Sequence, residues 1–235
     1  MLALLYDVHG NLAALDAVLD DARSQGAESW LIGGDVGAFG PWPEATVERL
    51  QSLGDARWIR GNHERWAVEG DQVPPIPFAQ HGVAATRDAL GPETVAELYT
   101  LPLWQPIPGG EAWHASPRSD VDGLLPDPHD GEAELLEDRT PELLVVGHTH
   151  LPMQRTITRT DGGATRVVNP GSVGLPFDGD PRAAYGILHD DGRVELRRVD
   201  YDRERAIAEN RARWGDAVWA RTMDETYRSG RPAAL

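Results

Sequence analysis

The chain has 235 residues, 40% of them hydrophobic, and a formal charge of −16, a length and composition that suit one substantial domain with a real core. No apolar run approaches the ~18 residues needed to span a bilayer, and a surface this acidic repels nucleic-acid backbones and anionic membranes. The sequence has no cysteine, which removes disulfides, thiolate metal sites and a Cys nucleophile and fits a cytoplasmic protein.

Leu2 to Tyr6 reads as a short buried strand; with no basic leader and no cleavage-type tail it is not read as a signal peptide. Leu12, Leu15, Val18 and Leu19 then fall at helical spacing, which predicts a helix over 11–24 that stops at Gly26. Ser29 to Ile32 is a second strand running into Gly33, Gly34 and Asp35. A helix from Pro43 to about Leu53 and a strand from Arg57 to Ile59 follow, then Gly61. Three times a strand stops at a glycine-containing turn that carries polar residues. Ligands collect beyond such carboxyl ends in open α/β sheets.

The middle is less regular. Val73 to Phe78 and Pro102 to Gly110 hold three prolines each and read as loops around a helix over 83–99. Ala112 to His114 is a brief strand, Ser116 to Gly131 a Pro- and Asp-rich loop bordering a site, and Leu143 to Val146 a strongly apolar strand ending at Gly147. Beyond it, strands 153–160 and 165–168 flank Asp161-Gly162-Gly163, and strands 183–188 and 194–199 flank Asp190-Asp191-Gly192, both hairpin signals. The tail from Asp202 onward is charged and helix-prone, with Trp214 and Trp219 read as helix-packing residues. One domain over 1–200 with a helical extension over 201–235 packed on it is the simplest organisation.

Taken singly, the polar strand ends are weak signals. Asp7 could cap the helix that begins near Asn11, Asp35 could be a turn aspartate, Asn62 and His63 a loop pair, and His114 a structural histidine. Gly147-His148-Thr149-His150 is sharper. Two histidines two apart after an apolar strand point the same way if extended geometry continues. Together, His9, His63, His114, His148 and His150, accompanied by Asp7, Asp35 and Asn62, form a nitrogen- and oxygen-donor set without sulfur. Such a set suits manganese, iron, zinc, nickel or cobalt, and its size suits two ions sharing one carboxylate.

The order Asp7-x-His9, Gly34-Asp35, Gly61-Asn62-His63-Glu64, His114 and Gly147-His148-x-His150 resembles the calcineurin-like metallophosphoesterases, and is most similar to the small bacterial and archaeal phosphodiesterases of that superfamily. An Asn169-Pro170-Gly171-Ser172 turn also matches, and the resemblance covers residues 1 to about 200. It implies an α/β fold, a four-layer α/β/β/α sandwich of two mixed sheets with helices outside. It further implies two divalent cations, manganese foremost, with Asp7, His9 and His150 on one, Asn62, His114 and His148 on the other, and Asp35 bridging. His63 would be the catalytic residue beside the metals, protonating the leaving oxygen as a metal-bridging hydroxide attacks phosphorus. One departure is Ala115 after His114, where relatives carry glycine.

The reaction so implied is hydrolysis of a small phosphorylated substrate, a phosphodiester first, with phosphomonoesters or nucleoside polyphosphates as enzymatic alternatives. Specificity is expected in the loops 70–82, 102–110 and 116–131. A metal-binding scaffold with the same fold is the non-enzymatic alternative, and retention of His63 with all seven ligands favours the enzyme. No duplex nucleic acid or membrane is expected as a partner; a homodimer through the tail is left open. Arg118 is read as a solvated loop arginine and not as a phosphate clamp.

Overall fold

The computed structural model describes residues 1–232. Strand β1 (Leu2–Leu5) is buried along its whole length. Alternation turns Ala3 and Leu5 into one apolar cluster and Leu2 and Leu4 into another, so this short run has no polar face. It pairs in parallel with β2 (Ser29–Ile32), which pairs in parallel with β3 (Ala56–Trp58). On its other side runs antiparallel β9 (Ala183–Leu188), then β10 (Val194–Val199), giving the order β10-β9-β1-β2-β3.

The second sheet has the order β4-β5-β6-β8-β7. Strands β5 (Gly110–Trp113), β6 (Leu143–Val145) and β8 (Ala164–Asn169) are parallel. The edges β4 (Trp104–Ile107) and β7 (Met153–Thr158) run antiparallel to them. Leu2, Leu4, Tyr6 and Leu31 from the first sheet meet Ile107, Leu143, Val145 and Val168 from the second, an apolar seam between two mixed five-stranded sheets.

Among the described residues, six α-helices complete the fold. Helix α1 (Leu12–Ser24) starts at Asn11, whose side chain accepts the Ala14 N–H at 3.1 Å. Helix α2 (Pro43–Gln51) has proline in its first turn, where no N–H is missed. Helices α3 (Asn62–Val68), α4 (Pro77–Tyr99), α5 (Arg203–Trp214) and α6 (Val218–Ser229) follow. Side chains from all six join the core on the outer face of the first sheet, around Leu15, Val47, Trp66, Val83, Ile207 and Met223. The outer face of the second sheet, through Leu144, Val146 and Val167, is covered by Leu124 and Leu136. That fourth layer is thinner than the first, a loop with a 3₁₀ turn at Glu132–Leu136. No helix among the described residues is long and apolar enough to cross a membrane.

Three local expectations are corrected. The 102–110 segment contains strand β4 despite Pro106; it is an edge strand, where the missing N–H faces outward. Asn62 and His63 open helix α3 instead of lying in a loop. Helix α4 begins at Pro77, six residues before the predicted start, and is broken at Gly91 (φ 74°), just before Pro92.

Candidate metal centre

The carboxyl ends of β1, β2 and β3 and those of β5 and β6 open at one end of the sandwich. There the structure gathers Asp7, His9, Asp35, Asn62, His63, His114, His148 and His150. Most are almost fully buried: Asp7 is 0% exposed, Asp35 and Asn62 1%, His9 and His114 2%, His150 5%. Three sets of donor atoms lie within 4.8 Å of one another: Asp7 with His9 and His150, Asp35 with His114 and His148, and His9 with Asp35 and His63. The Asn62 Oδ1 stands 2.9 Å from the His114 Nε2. Two neighbouring clusters result, with Asp35 between them: its Oδ2 is 3.9 Å from His9 Nε2 and 3.5 Å from His114 Nε2.

Hydrogen bonding fixes which ring nitrogens face the centre. His9 Nδ1 lies 3.1 Å from the Ala38 carbonyl oxygen, His114 Nδ1 2.8 Å from that of Gly33, and His150 Nδ1 2.5 Å from that of Leu175. A carbonyl only accepts, so each Nδ1 carries a proton and each Nε2 is the nitrogen turned inward, where it presents a lone pair whenever the ring is neutral. Yet His9 Nε2 and His150 Nε2 are 3.1 Å apart. Two lone pairs at that distance repel unless a shared proton or a metal cation lies against both. The Oδ1 of Asp7 is buried without a hydrogen-bond donor, 3.5 Å from the same His150 nitrogen. An orphaned buried carboxylate oxygen is costly in a protein interior. The donor set therefore fits a divalent cation at the Asp7, His9 and His150 cluster, and Asp35, Asn62, His114 and His148 supply a second set of oxygen and nitrogen donors beside it.

Electrostatics agrees. Burial lowers His9 to about 3, with His150 adding to the effect. Burial likewise lowers His148 to about 4, helped by His114. Burial would lower His114 too, but Asp35 and Asp7 overcome it and push the ring up to about 10, a gauge of the negative potential there. Burial opposes ionisation of Asp35, yet His63 and His114 hold its carboxyl well below the usual carboxylate range. Asp7 is also lowered, His150 outweighing burial.

The backbone is bent to make this arrangement. Among the described residues, eight non-glycine residues have positive φ, and five of them are Asp7 (54°), His9 (49°), Asp35 (54°), His148 (64°) and His150 (59°). Such strain concentrates at functional sites. It corrects one expectation: β6 ends at Val145, so the two histidines after it do not continue an extended strand, and they serve different clusters. Gly34 (φ 93°) is required, since a Cβ there would lie 2.7 Å from His114 Nδ1. Ala115, by contrast, is buried outside the left-handed region, so no glycine is needed at that position.

Supporting residues hold the strand ends. The Asn169 side chain donates to the Gly147 carbonyl and to Thr149 Oγ1, both at 2.9 Å, and Ser172 Oγ donates to the Asp7 carbonyl at 2.7 Å. Sequence reasoning gave Glu64 no role, yet its buried carboxylate accepts the N–H groups of Asp35, Val36 and Gly61 at 2.9, 2.9 and 2.8 Å. A glutamate three residues after a helix N-cap is the available signal. Burial, with Asp35 beside it, raises this carboxyl to about 7.

The centre floors a cleft of about 600 Å³. Segments 74–79 and 121–125 wall it as expected of those loops, but 102–110 contributes nothing, and Arg118 is turned away towards Glu134. The unforeseen wall is α6, through Thr222, Met223 and Thr226. Trp214 and Trp219 pack 5.3 Å apart, and the Trp214 Nε1–H donates to the Gly40 carbonyl at 3.1 Å, which fastens the C-terminal helices to the loop behind His9.

Residues 1–192 match the family described as the calcineurin-like phosphoesterase superfamily domain. The uncharacterized protein MJ0912 of Methanocaldococcus jannaschii is 31% identical over 234 residues, 90% of this chain and 93% of its own length. Phosphodiesterase YfcE of Escherichia coli K12 is 28% identical over 202 residues, 81% and 89% of the two chains. Among solved structures, a metallophosphoesterase from Sphaerobacter thermophilus superposes with a TM-score of 0.78 at 26% identity, covering 97% of this chain and 98% of that one.

Proposed function

Because the chain belongs to the calcineurin-like phosphoesterase superfamily and is thus a phosphoric ester hydrolase, we propose that it cleaves a small phosphodiester at a pair of divalent cations, manganese foremost. The observation that carries this reading is the inward convergence of the His9 and His150 lone pairs, 3.1 Å apart, beside a second donor cluster that shares Asp35. Asp7, His9 and His150 would hold one cation, Asn62, His114 and His148 the other, and Asp35 both. Bound there, the pair supplies Lewis-acid charge against phosphoryl oxygens and acidifies water near neutral pH.

The remaining steps belong to the chain. Asp35 Oδ1 accepts the His63 backbone N–H at 3.0 Å, and its Oδ2 lies 3.5 Å from His63 Nε2, which aims the ring into the cleft. Burial lowers the His63 pKa, Asp35 opposing, so free His63 is neutral near pH 7. A phosphate anion arriving beside it favours the imidazolium, which donates its Nε2 proton to the leaving ester oxygen as water adds to phosphorus and the P–O bond breaks.

Hydrolysis assays with the metal-reconstituted protein test the reading on bis-p-nitrophenyl phosphate, p-nitrophenyl phosphate, cyclic nucleotides and a dinucleoside polyphosphate. The diesters are expected to turn over fastest. No hydrolysis of any diester with manganese, iron, zinc, nickel or cobalt would overturn it.

A further inference from the structure

Among the described residues, the cleft above the centre offers a phosphate no cationic lysine or arginine side chain. The sequence contains no lysine, and among the described residues no arginine lines the cleft. The nearby Arg65 is engaged by Asp120 through two hydrogen bonds of 2.6 and 2.7 Å. Beyond the candidate ligands and His63, the polar lining side chains are three threonines. A polyphosphate chain extending from the metals would therefore meet no cationic partner, inside a protein of formal charge −16.

The walls are apolar instead, and several are aromatic. Phe39 and Phe78 stack with ring centroids 4.8 Å apart and planes at 22°, and Phe177 stacks on His150 at 4.3 Å. Phe78 and Phe177 are only half-buried, so part of each ring remains free to be covered. At the mouth stand Ile76, Val121 and Leu125, exposed by 42, 38 and 41%. Three of the seven exposed large hydrophobic side chains among the described residues thus line this one cleft. Solvent-facing apolar side chains gathered around a cleft mark a binding surface.

The geometry points to a substrate in which a singly charged phosphodiester carries an aromatic group, held between the Phe39–Phe78 stack, the Leu125 rim and Met223 of α6. This deepens the phosphodiesterase reading and rests on it for the placement of phosphorus. The aromatic group covers apolar surface that water otherwise wets, while the single negative charge is all that the metal cluster has to balance.

Calorimetric titration of the manganese-loaded protein with diphenylphosphinate and dimethylphosphinate tests this without turnover, because P–C bonds do not hydrolyse. Diphenylphosphinate should bind about tenfold more tightly, as partial burial of one ring against such walls supplies. Phe78→Ala and Leu125→Ala should each erase most of that preference while leaving dimethylphosphinate affinity within twofold. Leu125 lies on the exposed rim, so its variant decides if Phe78→Ala does not fold. Equal affinity for the two phosphinates, or variants that weaken both alike, would overturn the assignment. A clear preference in a protein that cleaves no diester would leave the aromatic wall standing and remove the phosphodiesterase reading alone.

Discussion

Asp35 holds His63 at two points, accepting its backbone N–H at 3.0 Å with Oδ1 and facing its Nε2 at 3.5 Å with Oδ2. The same Oδ2 is 3.5 Å from His114 Nε2. One carboxylate thus stands between both donor clusters and also orients the proposed acid.

Asp35→Asn should accordingly weaken both ions together, because the shared negative charge is lost at each. Metal analysis after dialysis is expected to show less than one equivalent of each ion, with activity down about 100-fold or more. Selective loss of one ion would contradict the bridging role.

His63→Ala separates acid from ligand. His63 lies within 4.8 Å of donor atoms of His9 and Asp35, so ligation is a geometric alternative. As an acid, its removal lowers turnover by ~10²–10⁴ and leaves metal content unchanged. Loss of an ion in this variant would make it a ligand.

Glu64→Ala should act through stability. It strands three buried N–H groups, those of Asp35, Val36 and Gly61. At ~1–3 kcal/mol per unsatisfied donor, with water recovering some, about 3 kcal/mol is expected. That lowers the thermal midpoint by roughly 6–12 °C for a chain of this size. Glu64→Gln, retaining one acceptor, should lose about half as much. Equal midpoints for wild type and Glu64→Ala would show that the carboxylate does not join the two turns.

The metal-free protein should be most stable near pH 6.5–7. On the acid side, folded His9 and His148 protonate only near 3 and 4, whereas the unfolded rings do so near 6.5. Their contribution is present above 6.5 and is lost as pH falls. Glu64, at about 7 when folded, works the other way between 7 and 4.5 but is one group against two. On the alkaline side, His114 keeps its proton to about 10, so its contribution is complete below 6.5 and is lost as pH rises through 10. Urea midpoints across pH 4–10 check the shape; a monotonic profile would refute it.

Manganese at a hundredfold excess over its dissociation constant should raise the thermal midpoint of metal-free protein by roughly 5–10 °C. Chelation should reverse the shift. A midpoint indifferent to metal would mean that the converging lone pairs of His9 and His150 are satisfied in another way.

Much of this was legible from residues alone, for identifiable reasons. Parallel strands buried on both faces read as plain apolar runs, so Leu2–Leu5, Ser29–Ile32 and Leu143–Val145 announced themselves, and the polar turns after them pointed to one end of a sheet. Strand β4 was hidden because Pro106 is tolerated only at an edge, and edge position is a tertiary property. The positive φ of His148 and His150 was invisible because neither is glycine. The wall supplied by Met223 was hidden as well, since its spacing on α6 reads as an ordinary packing face. Which cavity a packing face borders depends on contacts far away in the chain.

The bent backbone at Asp7, His9, Asp35, His148 and His150 sets heat resistance and catalysis against each other. Left-handed geometry costs a side-chain-bearing residue ~1 kcal/mol that glycine does not incur. Glycine at His148 or His150 would relieve that cost but would remove the ring as well, for His150 together with its Leu175 hydrogen bond and Phe177 stack, so the strain cannot be shed without losing the site. A metal ion bound by these side chains would offset part of that cost, so the bent turns burden the empty protein more than the loaded one.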